Sequence, residues 1–511
     1  MNDAVIFIFG VFVWLLGLCV GSFLNVVVYR LPAGLSLLHP RWSFCPRCRH
    51  TLAWADNLPL ISWLALGGRC RYCRAPISAQ YPLVEAVTGL AFALVWRLLA
   101  HDHARFGLDE FALGTDWPLL LAWLTLTAAM IACAATDVVS YSIDTRVTNF
   151  TLIAGLILMA LWPRGGFLAP VAESQVAAAT FVALIASAIM LWRFAPAEEI
   201  EGASDGGAGD DKFADETREP HKSSAPAVRV PLIGVFAAAL AAILLTVTPL
   251  FTRGADSTQP DSAMTQVAAP LAIIIMFAIM VAAGGARRDA DDEIHAEIEA
   301  ERPFARRVAL SECVWLAPIV GVGAIAYWLA GAGPLASGWE TLVAWTPLGN
   351  NAPPVTPIAG IAYAAHGAIL AAAAGWIVRI FFTLVFGREA FGVGDIFILA
   401  AAGATIGWDL ALLGFLLAIP LALVGWIIGL ALKQTVMIPF GPWLGIGFLA
   451  ALWLSRPAAE IGMRYRDLFT EIARDRPQAL LGLAGVLIVG MALAIGLSRL
   501  LRRFVEGRLA Q

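Results

Sequence analysis

Long apolar runs separated by short polar segments make up most of the chain. A helix needs about 20 apolar residues to cross about 30 Å of hydrocarbon. By that measure the pattern predicts about thirteen membrane-spanning helices, two of them short. The predicted spans lie near 4–28, 82–100, 117–135, 148–163, 175–193, 231–251, 266–284, 308–332, 360–386, 396–408, 410–432, 438–455 and 478–500. We therefore expect an all-α polytopic integral membrane protein.

Three polar segments interrupt this pattern. Segment 30–81 carries seven arginines against a single acid, Asp56, and the positive-inside rule places it in the cytoplasm. Segment 196–229 is rich in glycine, serine and acidic residues, which is typical of a disordered linker. Segment 285–307 offers opposite charges at helical spacing and predicts a solvated helix.

The composition supports the membrane assignment independently. Of 511 residues, 59% are hydrophobic and only 14% are charged, with a mean hydropathy of +0.77. A soluble domain has about 25% charged residues. The net charge of −4 lacks the clustered basic surplus that favours nucleic-acid binding. We therefore expect the lipid bilayer as a partner and no nucleic acid, with the first apolar run retained as a membrane helix.

Four of the seven cysteines form two CxxC pairs inside the cytoplasmic segment. Cys45-Pro-Arg-Cys48 and Cys70-Arg-Tyr-Cys73 are separated by 21 residues. Each pair predicts a turn that points two thiolates at one metal ion, and two turns complete a closed, structural zinc site. The alternatives are two disulfides, which a reducing cytoplasm disfavours, or an unoccupied redox pair. The remaining cysteines lie in apolar runs, where we expect small buried side chains: Cys19, Cys133 and Cys313.

A second motif, Gly392-Val-Gly394-Asp395, stands where a polar break meets an apolar run. Its glycines would let a substrate backbone come close and let the chain turn sharply into a helix. A carboxylate at the end of a membrane helix is costly unless it is paired or used. The motif is short, however, and a capping or loop aspartate would also explain it.

Asp137 ends the third predicted span at the cytoplasmic side, and it could be an ordinary helix-end charge. Asp144 is expected to cap the following span. Six predicted spans separate Asp137 from Asp395, and an even number returns the chain to the same side. Two carboxylates in close contact cannot both ionise easily, so the pair holds one proton. One would then activate water as a base, while the protonated partner polarises a scissile carbonyl, as in an aspartic hydrolase.

These motifs resemble, in the same order, those of the type IV prepilin peptidases, which are bifunctional membrane aspartic proteases of pilus and type II secretion systems. The resemblance covers roughly 17–165 and 357–455. It identifies Asp137 and Asp395 with the two catalytic aspartates of the family. The other matching parts are the two CxxC pairs and the segments Gly21–Pro32, Asp56–Trp63, Ile77–Glu85 and Ile438–Trp443.

The resemblance implies cleavage of type IV prepilin or pseudopilin leaders at the cytoplasmic face of the bacterial inner membrane. The cut would fall between a glycine and the first residue of the mature segment. N-methylation of the new terminus with S-adenosylmethionine is also implied. That step rests only on the likeness of the four-cysteine domain, because the sequence has no glycine-rich nucleotide loop, and no cofactor-binding residues are assigned.

The sequence departs from the family pattern at three points. Ile143 replaces a proline, Phe397 replaces a frequent lysine, and the two aspartates are 258 positions apart, far more than is usual.

The predicted divisions are a first membrane helix (1–29), the four-cysteine domain (30–81), helices with the first aspartate (82–165), an inserted region (166–356), helices with the GxGD motif (357–455) and an extra loop and helix (456–511).

Two other functions fit part of the pattern. A different GxGD intramembrane protease, such as a preflagellin or signal-peptide-peptidase-like enzyme, would lack the four-cysteine domain. A transporter or assembly scaffold with a zinc domain would use both aspartates for packing or proton movement. Leader loss from a synthetic prepilin distinguishes these functions from the one that the resemblance implies.

Overall fold

A computed structural model describes most of the predicted spans. The described residues are 3–101 apart from 38, 40 and 41, then 110–140, 143–162, 175–194, 303–332, 336–344, 357–431 apart from 388 and 390, and 440–457. The spans predicted near 231–251, 266–284 and 478–500 lie outside these residues, as do the linker 196–229 and most of segment 285–307. The other predicted spans coincide with helices.

Within the described residues the fold is all-helical. The helices are α1 (Asp3–Arg30), α2 (Ile61–Ala65), α3 (Gln80–Ala100), α4 (Leu113–Ser140), α5 (Thr145–Leu161), α6 (Gln175–Phe194), α7 (Ala305–Ala332), α8 (Ala336–Ala344), α9 (Pro357–Phe386), α10 (Val393–Ile406), α11 (Trp408–Ala431) and α12 (Gly441–Trp453), with a 3-10 turn at Trp54–Asp56. Helix α8 was not expected, because it lies in a segment that the sequence pattern treats as a loop.

Six of these helices are long and apolar enough to span a bilayer: α1, α3, α4, α7, α9 and α11. Helices α5, α6, α10 and α12 contain shorter apolar stretches. The prediction of an all-α polytopic membrane protein is thereby confirmed. Helices α3 and α4 form the centre, because 89% and 83% of the residues in their most apolar stretches are buried. In α7 only 11% of the most apolar stretch is buried. Such an apolar outer surface suits contact with lipid.

Small residues let the helices approach closely, as is common in membrane bundles. Helix α1 packs along α3, where a Cβ atom on Gly21 would lie 2.6 Å from the Cα atom of Glu85. Helices α9 and α10 cross at Gly367 and Gly403, and a Cβ on Gly367 would collide with the backbone carbonyl of Gly403. A larger residue at any of these three glycines would force the helices apart.

Helices α6 and α7, both in the region that the sequence predicts to be inserted, pack antiparallel, and both also contact α9. Gly331, near the end of α7, lies against Gln175 at the start of α6, and Gly323 lies against Ala179. The end of α6 and the start of α7 therefore lie at the same end of the bundle. An even number of membrane spans between α6 and α7 would return the chain to the same end, so the prediction of an even number agrees with this arrangement.

The cysteines outside the CxxC pairs are only partly as expected. Cys133 is buried, but Cys19 and Cys313 are exposed. The prediction of burial is therefore wrong for two of the three. The apolar runs that contain them indicate a membrane helix, but hydropathy does not distinguish a face that meets protein from one that meets lipid.

Candidate active site and four-cysteine domain

Asp137 lies one turn before the end of α4, and its side chain is buried. Its Oδ2 atom accepts a hydrogen bond of 2.8 Å from the backbone N–H of Gly441, the first residue of α12. The first N–H groups of a helix have no partner inside the helix, so this donor is free to meet a carboxylate. Asp137 is therefore held by a helix that begins 304 positions later in the chain.

Asp395 lies in the first turn of α10 and is also buried. The Asp395 carboxylate lies against the backbone of Gly392, the residue that precedes the helix, because a Cβ atom on Gly392 would lie 3.2 Å from Asp395 Oδ2. The other carboxylate oxygen, Oδ1, is buried and has no hydrogen-bond partner among the described residues. One oxygen of Asp395 thus lies beside the chain that enters the helix, and the other is unpartnered.

The two aspartates lie near each other at one end of the bundle. Gly394, next to Asp395, packs on Ile143, six residues after Asp137, and both aspartates are neighbours of Cys133, one turn before Asp137. Helices α4, α10 and α12 all border this region, and α4 packs against both α10 and α12. Three helices that are distant in sequence therefore bring the two predicted site residues together.

Ile143 and Asp144, which follow α4, have structural roles beside the pair. Asp144 caps α5, as predicted, accepting a 2.8 Å hydrogen bond from the backbone N–H of Arg146 and pairing with its guanidinium. The side chain of Arg146 lowers the pKa of Asp144 from its ordinary value. Ile143 lies so close to Gly394 that a Cβ atom there would be 2.9 Å from the Ile143 Cβ. This contact explains why the second motif glycine has no room for a side chain.

Gly441 is a site residue whose role the sequence did not reveal. A Cβ atom at this position would lie 2.8 Å from Asp137 Oδ2, so only glycine leaves space for the carboxylate. The available signal was Gly441-Pro442 at the start of an apolar run, because proline is favoured in the first helical turn. That signal predicts a helix start, but it does not predict which side chain the helix start would meet.

The two CxxC pairs adopt matching turns. Cys45 N–H donates to the carbonyl oxygen of His50 at 3.0 Å, and Arg49 N–H donates to that of Cys45 at 2.8 Å. In the second turn, Arg74 N–H donates to the carbonyl oxygen of Cys70 at 3.0 Å. Arg49 and Arg74 both have a positive φ, 56° and 58°, a strained conformation for residues with a side chain. The same tight turn thus occurs twice.

These turns bring the four sulfurs together. The Sγ atoms of Cys45, Cys48, Cys70 and Cys73 all lie within 4.8 Å of one another, and those of Cys45 and Cys73 are 3.9 Å apart. Sulfurs on a tetrahedral zinc ion, with bonds of about 2.3 Å, lie about 3.8 Å apart. Backbone N–H groups of Cys73 and Tyr72 lower the pKa of the Cys70 thiol to about 7, which favours the thiolate that binds metal, whereas burial and the three neighbouring cysteines raise the pKa of Cys48 to about 11. The donor set therefore fits a closed zinc site.

The chain between the two turns is tied to the rest of the molecule. Arg71 pairs with the buried Asp56 through its Nε atom, 2.8 Å from Oδ1, and its Nη2 atom, 2.7 Å from the same oxygen. The backbone N–H of Leu60 donates to the Glu85 carboxylate of α3 at 2.8 Å. The four-cysteine domain is thus fastened to the membrane helix that follows it.

Comparison with known proteins finds similarity over part of the chain, including the four-cysteine domain. Residues 15–98 match the bacterial peptidase A24 N-terminal domain. The chain is 35% identical over 205 residues to the prepilin leader peptidase/N-methyltransferase of Klebsiella pneumoniae, which covers 39% of this chain and 81% of that protein. The match to the protein of the same description from Myxococcus xanthus is 44% identical over 152 residues, 30% of this chain and 40% of the relative.

A third relative carries a different description. The type 4 prepilin-like proteins leader peptide-processing enzyme of Escherichia coli is 38% identical over 167 residues, covering 29% of this chain and 54% of that protein. The chain thus spans about half or less of the Escherichia and Myxococcus relatives. No solved structure matches the chain significantly.

Proposed function

We propose that this chain, which belongs to the prepilin leader peptidase/N-methyltransferase family, is a membrane aspartic endopeptidase that removes the leader of type IV prepilins or pseudopilins. The observation that supports the proposal is that Asp137 and Asp395 are both buried and lie near each other at one end of the bundle. Two carboxyl groups in a shared buried space are what the hydrolysis of a peptide bond by this chemistry requires.

The two aspartates act as a pair. One carboxylate removes a proton from water, and the resulting hydroxide adds to the scissile carbonyl carbon while the protonated partner donates a hydrogen bond to the carbonyl oxygen. Collapse of the tetrahedral intermediate breaks the C–N bond, and a proton passes from the pair to the leaving amine. The roles of Asp137 and Asp395 are not separable in a coupled pair. The unpartnered Oδ1 of Asp395 is an oxygen that could face the water.

The two glycines of the GxGD motif have different roles. Gly394 is covered by Ile143, whereas Gly392 lies at the start of the helix that carries Asp395. An extended substrate segment would approach the backbone more closely at Gly392 than at a residue with a side chain. Cleavage would fall between a glycine and the first residue of the mature segment.

Cys45, Cys48, Cys70 and Cys73 would hold one structural zinc ion. The ion would lock two turns that have little apolar core between them, so metal binding and folding of this domain would be linked. It takes no part in hydrolysis, because four thiolates leave no open coordination position.

N-methylation of the new terminus is the second proposed activity, and the descriptions of the relatives support it. S-adenosylmethionine would supply the methyl group. We assign none of the described residues to its binding.

The proposed location is the bacterial inner membrane, with the paired aspartates and the four-cysteine domain at the cytoplasmic face. The arginine-rich segment 30–81 supports this orientation. The start of α5 supports a common face, because the Arg146 guanidinium donates to the carbonyl oxygen of Leu31, at the end of α1, at 3.2 Å.

The experiment is a cleavage assay with the purified full-length chain and a synthetic prepilin, read by mass spectrometry. We expect loss of the leader and, after S-adenosylmethionine is added, a product heavier by one methyl group. The control peptide carries a bulky residue in place of the glycine before the cleavage point and should stay intact. An intact prepilin with a well-folded protein would overturn the peptidase assignment.

A further inference from the structure

A buried arginine connects the inserted region to the GxGD motif. Arg379 lies on α9 with a side chain only 7% exposed. Its Nε and Nη2 atoms bind the carboxylate of Glu312, with Nη2 2.9 Å and Nε 3.0 Å from Oε1. Its Nη1 atom pairs with Glu389 and donates to the carbonyl oxygen of Phe391 at 2.6 Å. One guanidinium thus engages three residues from two other parts of the chain.

The partners of Arg379 come from two different parts of the chain. Glu312 belongs to α7, which lies in the inserted region, and Glu389 and Phe391 lie in the short stretch between α9 and α10. A charge inside an apolar bundle is costly unless it is paired, so such residues are usually retained for use. The planar guanidinium offers five N–H donors in a fixed fork, and Glu312 occupies one edge of it. The pairing therefore fixes where the remaining donors point.

The contact with Phe391 reaches Asp395 through a single rigid unit. The carbonyl of Phe391 and the N–H of Gly392 belong to the same peptide group, which is planar. Arg379 binds the carbonyl end of this group. The Asp395 carboxylate lies against the Gly392 end, because a Cβ atom on Gly392 would lie 3.2 Å from Asp395 Oδ2. Fixing the carbonyl therefore fixes the backbone against which the Asp395 carboxylate lies.

We propose that Glu312 and Arg379 are positioning residues for Asp395, and that the inserted helix α7 is a working part of the active site. Glu312 orients the Arg379 guanidinium, Arg379 holds the Phe391–Gly392 peptide plane, and that plane orients Asp395. A second contact reinforces the same junction, because Arg306 of α7 donates to the carbonyl oxygen of Leu384 near the end of α9 at 3.1 Å. The inference rests on the proposed function and adds to it the role of a helix outside the matched family pattern.

The test compares Glu312→Gln, Arg379→Gln and the double variant in the full-length protein. Because a misaligned Asp395 affects the chemical step and leaves substrate binding intact, we expect kcat to fall about ten-fold in each single variant with KM unchanged. Glu312→Gln should have no further effect in the Arg379→Gln background, since it acts through Arg379. The matched control is Glu340→Gln, an exposed glutamate on α8 of the same inserted region, which should leave kcat unchanged.

A second readout does not depend on activity. Hydrogen exchange of the segment Phe391–Ile396 should be faster in Glu312→Gln than in the wild type, because the peptide plane is released. If Arg379→Gln fails to fold, Arg379→Lys replaces it, since lysine keeps the charge but lacks the fork.

Unchanged kcat in Glu312→Gln, additive losses in the double variant, or unchanged exchange would each overturn the positioning role. A wild-type protein that cleaves no prepilin would instead refute the proposed function, and the exchange measurement would still decide whether Glu312 holds this junction.

Discussion

The four-cysteine domain and the aspartate pair are two sites built in opposite ways. The cysteines lie between positions 45 and 73, and two copies of one turn, each closed by backbone hydrogen bonds, bring their sulfurs together. The aspartates are 258 positions apart and meet only because α4, α10 and α12 pack at one end of the bundle. The first site is made by local chain geometry, and the second by tertiary structure.

This difference predicts how each site should respond to substitutions. A site made by local turns can be lost while the rest of the molecule keeps its structure, because each turn is closed by its own backbone hydrogen bonds. A site made by helix packing should be sensitive to single added atoms at the helix contacts, because bundle interiors are close-packed.

The first prediction concerns the metal. Purified protein should contain about one zinc ion per chain, the load of one closed site, and Cys45→Ser or Cys70→Ser should remove it. Hydrogen exchange should then rise sharply between positions 43 and 77, while α4, α10 and α12 keep their protection. The same substitution at Cys313, an exposed cysteine on α7, should leave the zinc content unchanged. A metal-free wild type with an ordered domain would refute the zinc site.

The second prediction concerns the amide that holds Asp137. The added methyl group in Gly441→Ala would lie 2.8 Å from Asp137 Oδ2, so the carboxylate must move. We expect cleavage to fall about ten-fold or more, since small misplacements of a catalytic group have large kinetic costs. Gly114→Ala on α4 is the matched control, because a Cβ there has nothing within 4 Å. Equal activities of the two variants would show that the Gly441 contact is unimportant.

The third prediction concerns the contact between the GxGD motif and the loop after α4. The Cβ of Gly394→Ala would lie 2.9 Å from the Cβ of Ile143. Such overpacking costs about 1–3 kcal/mol, and we expect a several-fold loss of cleavage, measured as the initial rate of leader release. Adding Ile143→Gly, which removes that Cβ, should relieve the contact and recover most of the activity. If the double variant releases the leader no faster than Gly394→Ala, the loss of activity does not come from the contact with residue 143.

The smallest effect is expected at Asp144. Asn keeps the capping ability but loses the charge that pairs with Arg146, so cleavage should change by less than about two-fold and stability by about 0.5 kcal/mol. Arg146 lowers the pKa of Asp144, so the charge stabilises the folded state above the ordinary value of about 3.9 and ceases to do so as the pH falls through the lowered one.

Thermal unfolding of the wild type and Asp144→Asn checks this sign. The wild type should be the more stable near neutral pH, and the difference should close as the carboxylate becomes protonated. A difference that grows on acidification would contradict the role of the pair.

Much of the fold follows from the apolar runs, since a membrane helix must satisfy its own backbone and needs a minimum length. The run predicted at 148–163 is helix α5 (Thr145–Leu161), begun by the Asp144 cap that the sequence suggested. The four cysteines could be assigned to one cluster because CxxC spacing is itself a description of local geometry. The two pairs are separated by only 21 residues, so the prediction that they form one cluster required no knowledge of the rest of the fold.

Contacts between helix faces could not be predicted in the same way. Hydropathy gave no sign that the N–H of Gly441 meets Asp137, or that Arg379 joins Glu312 to the GxGD motif. Both contacts depend on how each helix is rotated about its axis, and uniformly apolar helices carry little information on rotation. For the same reason the burial of Cys19 and Cys313 was predicted wrongly.

The central claim is that Asp137 and Asp395 work as one catalytic pair, and a comparison of single and double variants tests it most directly. Leader cleavage should be measured by mass spectrometry for Asp137→Asn, Asp395→Asn and the double variant, with Asp144→Asn as the control that stays active. Residues that act as a unit give losses that do not add. We predict that each single variant falls to the background rate and that the double variant falls no further. Substantial activity in either single variant, or losses that multiply in the double, would contradict the pair.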